Sequence, residues 1–213
     1  MNWLLMTILS SIGKKQIMAV TGLCFCLFLA THLAGNFMIY GGREMLNAYS
    51  ERLHSLGLLI SVIELGLLVL AVLHVCFAAL LYFQNLYARP ARYAVNKNAG
   101  GRTLSSFLMP YTGLYLVIFV VIHLFTFHFV DRTNQTISQI VEDVFARPLY
   151  VVFYVFSVIV AAVHVKHGLW SAFQTIGVDH PKYTPLIKWA SLIFSLIIGA
   201  GFGSVPLFVM TGG

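Results

Sequence analysis

Hydrophobic positions along this chain gather in five long runs, at about residues 16–40, 57–83, 107–130, 148–172 and 187–209, with short polar segments between them. Each run exceeds the roughly 20 residues a helix needs to cross the hydrocarbon layer. They are apolar on all sides, whereas the strands of a membrane barrel would alternate with period two. The pattern predicts an all-α membrane protein, a single transmembrane domain over residues 1–213 with five transmembrane helices. The loops are too short to hold a soluble catalytic domain. The opening MNWLLMTILSSIGKK places its positive charges after the apolar part and has no small-residue cleavage site, so it reads as an interfacial helix rather than a signal peptide.

Composition agrees with this class: 59% of residues are hydrophobic and 9% charged, and the mean hydropathy is +0.86. Soluble domains carry about a quarter of their residues charged. The sign of the loop charges adds an orientation. Lys14 and Lys15 precede the first span, Arg89, Arg92, Lys97 and Arg102 follow the second, and Lys182 and Lys188 precede the fifth. The opposite loops dilute Arg43, Arg52, Arg132 and Arg147 with Glu44, Glu51, Asp131, Glu142 and Asp143. The positive-inside rule then predicts a cytoplasmic N-terminus and an external C-terminus. The net charge of +6 reads as topology plus attraction to anionic membrane lipid or a partner, and argues against nucleic acid. Cys24, Cys26 and Cys76 lie within apolar spans and read as packing residues, not a disulfide framework.

Against this background four histidines stand out, one in each of the first four spans: His32, His74, His123 and His164. Imidazole in hydrocarbon must be hydrogen-bonded or bind something. TGL at 21–23 precedes His32 by the same interval as TGL at 112–114 precedes His123. At 1.5 Å per residue, His32 and His123 lie about 22 to 24 Å from the cytoplasmic edge, and His74 and His164 about 12 to 14 Å. Two facing pairs at two depths suit two b haems with bis-histidine ligation, stacked within a bundle of the first four helices. Two ligands per level leave zinc or copper short of its usual set. His167 lies three residues beyond His164 on nearly the same face and competes with it. His128 lies about 140° round from His123 in a regular helix and is the weaker rival. His54 and His180 fall in loops.

These residues resemble the di-haem cytochrome b anchor subunit of succinate dehydrogenases and quinol:fumarate reductases. The resemblance rests on five spans, four histidines, TG ten residues before two of them, and HxxxGLW at His164, Gly168, Leu169 and Trp170. It implies a multi-pass protein of the bacterial inner membrane, carrying electrons between menaquinol or menaquinone and two partners on the cytoplasmic side, an iron-sulfur subunit and an FAD flavoprotein. The implied axial pairs are His32 with His123 and His74 with His164. The basic residues from Arg89 to Arg102 and from Lys182 to Lys188 are then the expected docking surface. One departure is Ala162, where a branch of the family has a glutamate linked to transmembrane proton movement.

Further expectations concern the surroundings of the haems. Lys15, Gln16 and Lys166 on the cytoplasmic side, and Arg43, Arg52 and Arg147 outside, are candidates to meet haem carboxylates. Gly22 and Gly113 fall at the inner haem's level, where a porphyrin edge can approach glycine. Glu64 is the one acidic residue inside a span, about 15 Å further out than His74. It is the candidate proton acceptor from menaquinol, with Tyr154, Arg52 or His54 as orienting groups. Two other readings stand beside this one: the cytochrome b subunit of another quinone-linked oxidoreductase, and a cofactor-free transporter with histidine proton relays.

Overall fold

The computed structural model describes residues 3–88 and 104–212, and the basic stretch from Arg89 to Arg102 lies outside them. Among the described residues, five helices are long and apolar enough to cross a membrane. In chain order the elements are α1 (Trp3–Leu9), α2 (Ser11–Asn36), α3 (Arg43–His54), α4 (Leu58–Tyr87), α5 (Leu104–His123), α6 (Ile137–Phe145), α7 (Pro148–Thr175) and α8 (Thr184–Met210). The spans are α2, α4, α5, α7 and α8. A 3-10 turn, Phe37–Gly41, prolongs α2, and a π-helical turn, Leu124–His128, prolongs α5. Local chemistry sets several boundaries. The Ser10 hydroxyl accepts from Gly13 N at 3.0 Å and separates α1 from α2. Pro148 opens α7 at a position that needs no N–H donor.

Helix α7 is the hub. It packs on α2, α5 and, most extensively, α8, while α4 rests on α2 and meets α5 at only a few positions. The order around the bundle is therefore α4, α2, α7, α5, with an opening between α4 and α5. Across it α2 faces α5 and α4 faces α7. The α7–α8 seam is made of small residues: Ser157, Ser191 and Ser195 are buried, and Gly199 and Gly203 stand against Ala162 and Val158. Small residues let helix backbones approach where no hydrophobic force drives helices together. A β-carbon added at Gly199 would lie 3.0 Å from the Ala162 β-carbon. Gly199→Val is therefore expected to destabilise the fold by about 1–3 kcal/mol through overpacking, read as a lower unfolding temperature in detergent.

Two amphipathic helices that the hydrophobic pattern does not reveal, α3 and α6, cover the end of the bundle where α2 stops and α7 begins. We refer to this as the outer end. Asn47 Oδ1 accepts from Ser138 N at 3.1 Å, and Arg43 pairs with Glu142 at 2.6 Å. Thr136 and Gln139 form a reciprocal capping box at the start of α6. Beneath this cover lies the main hydrophobic core: Ile39, Leu46, Phe145, Val151, Tyr154 and Val205. At the opposite, inner end lie α1 and the α7–α8 connection.

Candidate cofactor site

Along α2, Lys14, Thr21, Phe25, Phe28 and His32 recur at intervals of seven, four, three and four, one stripe of a helix. Along α5, Thr112, Phe119 and His123 repeat the spacing of Thr21, Phe28 and His32. The repeat visible as TGL thus extends to a longer unit, threonine, then phenylalanine seven residues on, then histidine four further. Its purpose becomes clear across the helix contacts. Thr21 Oγ1 lies 2.9 Å from Nδ1 of His74 on α4. Thr112 Oγ1 lies 3.0 Å from Nδ1 of His164 on α7.

Both hydroxyls also bond backbone carbonyls of their own helix, Thr21 to Ile17 O at 2.8 Å and Thr112 to Leu108 O at 3.0 Å. A hydroxyl has one hydrogen, and the carbonyl can only accept it. The threonine oxygen therefore receives Nδ1–H from the imidazole, which leaves the Nε2 lone pair of each histidine free. This is the tautomer and orientation that a second hydrogen bond imposes on a metal-ligating histidine. Next to each threonine, Gly22 and Gly113 face the same ring. An added β-carbon would stand 3.4 Å from Cε1 of His74 or His164, respectively. These glycines seat the imidazole of a neighbouring helix, at the depth expected for them. His74 and His164 lie within electrostatic reach of each other.

At the outer level the rings of His32 and His123 have centroids 6.0 Å apart and planes at 86°. His32 stacks on Phe28 at 5.2 Å and lies beside Phe202. His123 is flanked by Phe119 and Phe127. Its Nδ1 is 3.4 Å from the hydroxyl of buried Tyr154. Tyr154 thus belongs to the aromatic surroundings of His123. The remaining face of the outer level is the opening between α4 and α5.

The competing histidines separate. His167 packs edge-on against Trp170, with centroids 5.7 Å apart. His128 is redirected by the π turn, whose Phe129 N to Leu124 O bond of 2.9 Å spans five residues. Widening the turn brings residue i+5 nearly over residue i, so the 140° offset of a regular α-helix does not apply. His128 Nδ1 lies 3.9 Å from Glu64 Oε1 across the α4–α5 opening, both side chains partly exposed. Glu64, expected at the depth of the outer histidines, thus faces His128, five residues beyond His123.

The expected anion-binding residues scatter. Lys15 and Gln16 are exposed, while their neighbour Lys14 is buried and donates to Gln84 Oε1 of α4 at 2.8 Å. Lys166 is about 200° round from His164 and turns away from the histidine levels. Gly168 faces Met109 of α5. At the outer end Arg43 is engaged by Glu142, and Arg52 and Arg147 are exposed. Among the described residues, Arg132 is an arginine with a buried side-chain nitrogen. It donates through Nη2 to Phe127 O at 2.8 Å, lies 3.3 Å through Nη1 from Nε2 of His54, and has a buried Nε with no partner. Lys14 was legible from its seven-residue interval to Thr21. Arg132 had no periodic signal, since it lies beyond the span. Asp131, next to it, accepts from both N–H and hydroxyl of Thr133, and these bonds hold its carboxyl below the usual range.

Searches against protein-family models, curated proteins and solved structures found no match to this chain.

Proposed function

We propose that this chain is a di-haem cytochrome b, the membrane anchor of a succinate dehydrogenase or fumarate reductase, which links menaquinol to an iron-sulfur and a flavoprotein subunit. The observation that carries the reading is the two-level array of diagonal histidine pairs, with Nε2 of His74 and His164 left free by threonine anchors. Each level offers two histidines from facing helices, His32 with His123 and His74 with His164, which suits iron whose other ligands come from a macrocycle.

The donor set fits the group. His32 and His123 would hold the outer haem, and His74 and His164 the inner one. Arg132, with its orphaned Nε, and buried Lys14 are the cations that would meet haem carboxylates at the two ends. When bound, haem iron supplies one-electron transfer. Thr21 and Thr112 hold the inner imidazoles in the tautomer that can donate to iron. Phe28 and Phe119 pack the outer rings in place. Glu64 Oε1 and His128 Nδ1 face the α4–α5 opening together, and we assign them the two protons that a quinol hydroxyl pair releases on oxidation. In this reading Lys182 at the inner end, together with the basic sequence from Arg89 to Arg102 outside the described residues, would supply the docking charge for the iron-sulfur subunit.

A reduced-minus-oxidised visible spectrum of the purified chain tests the reading directly. We expect b-type absorbance in both levels' worth of haem; a colourless, folded protein from haem-replete cells would rule it out and favour the transporter reading. The threonine anchors make a finer expectation. Thr112→Val removes the acceptor of the His164 N–H, making the imidazole a weaker donor. The inner haem's reduction potential should rise by on the order of 40 mV, the equivalent of one hydrogen bond of about 1 kcal/mol, while the outer potential stays put. Redox titration with optical detection measures both.

A further inference from the structure

At the inner end, α7 and α8 diverge and leave an open groove on the outside of the bundle. It has a volume of about 580 Å³ and is lined by Lys166, Pro181, Thr184, Pro185, Lys188, Trp189 and Leu192. Two of these seven are lysines and none is acidic. Lys166 is the unexpected member. It lies within a span, about 14 Å before the end of α7, and it is exposed on the side away from the histidines. A lysine at this depth facing the membrane needs an anion or a route to water. The ammonium of Lys188 sits over the Trp170 ring at 4.8 Å, which fixes the second charge beside the groove. Trp189 is 64% exposed, the placement of an interfacial anchor.

One carboxylate, Asp179, has electrostatic contact with Lys188. It is already bound by Thr184 Oγ1 at 2.7 Å and Gln174 Nε2 at 3.2 Å, and it does not line the groove. The groove is thus a cationic notch with an apolar wall on the outside of the bundle. It lies where α7 ends and α8 begins, the end of the two spans that would meet a headgroup layer, and Leu192 continues it along α8.

We infer that this groove binds one anionic glycerophospholipid, with the phosphate between Lys166 and Lys188 and an acyl chain along Trp189 and Leu192. Basic pockets between transmembrane helices hold acidic headgroups in this way. The inference is independent of the haem reading, because Lys166 points away from the histidines. It also removes Lys166 from the candidates for a haem carboxylate, and it removes Lys188 from the docking surface for a soluble partner.

The test is native mass spectrometry of the full-length chain in detergent, titrated with phosphatidylglycerol, phosphatidylcholine or inorganic phosphate. We expect one phosphatidylglycerol to be retained and neither of the others. Lys166→Gln should weaken retention about fivefold, the size of one cation at a lipid surface, and the Lys166→Gln, Lys188→Gln pair should weaken it further. Arginine at both positions should restore it. Lys166 is exposed, so its single variant reads the site even if loss of the Lys188–Trp170 contact perturbs the fold. Equal retention of phosphatidylcholine, displacement by inorganic phosphate, or unchanged retention in Lys166→Gln would each overturn the proposal.

Discussion

Purified His164→Ala protein is expected to carry about one haem per chain in place of two, with the outer-level spectrum preserved. The expectation follows from how the ring is held. His164 is anchored by Thr112 on one side and lies across the bundle from His74, so its loss leaves the inner level with a single protein ligand. The outer pair, His32 with His123, has its own aromatic surroundings and shares no side-chain anchor with it. His74→Ala should give the same result, and His32→Ala or His123→Ala the converse one. The control is His167→Ala, because His167 is spent on Trp170 and should be dispensable for haem. Pyridine haemochrome content per chain decides the matter. Two haems in His164→Ala beside one in His167→Ala would mean that the next turn of α7 supplies the ligand.

On the proposed reading, Glu64→Gln should slow quinol chemistry about a hundredfold or more while sparing the rest of the complex. Glutamine keeps the size and hydrogen-bonding shape of the side chain but cannot take up a proton. Positioned general bases contribute about 10²–10⁴ in rate. Menaquinol-dependent fumarate reduction should therefore fall by about a hundredfold or more, whereas dicarboxylate turnover with a soluble dye and haem content remain normal. His128 gives a second arm. It faces Glu64 at 3.9 Å, so His128→Asn should reduce the same quinol-linked rate and spare the same controls. Unchanged menaquinol oxidation in Glu64→Gln would remove the carboxylate from the reaction.

Much of the vertical organisation was legible in the residue order, because helix rise is set by the backbone and converts sequence intervals into depths. That arithmetic placed Gly22 level with His74, Gly113 level with His164, and Tyr154 level with His123, and the contacts agree. Rotation around the helices was less legible where the period changes. The π turn has no residue signature of its own, so the contact of His128 with Glu64 across the α4–α5 opening is not legible from a regular helical period. The threonines were overlooked because a hydroxyl in an apolar span is ordinarily satisfied by its own helix, as Thr21 and Thr112 also are. Their second role emerges only once α4 and α7 are beside them. Helices α3 and α6 escaped notice because a nine- or twelve-residue amphipathic segment does not stand out beside runs of more than twenty apolar residues. The alanine at position 162 has a packing explanation as well. It faces Gly199 in the tight α7–α8 seam, where a glutamate side chain has no room.

The loose attachment of α4 bears on how the protein is made. This helix rests chiefly on α2 and touches α5 at only a few positions, and Leu81 is its one buried residue, although it carries His74 and Glu64. The other four spans form a continuous unit through α7. If haem bridges His74 to His164, it supplies the contact that α4 and α7 lack, and maturation becomes ordered: α2, α5, α7 and α8 associate first, haem enters laterally through the side left free, and α4 closes behind it. Cells starved of haem should then accumulate a chain whose second span alone is open to the membrane's quality-control proteases.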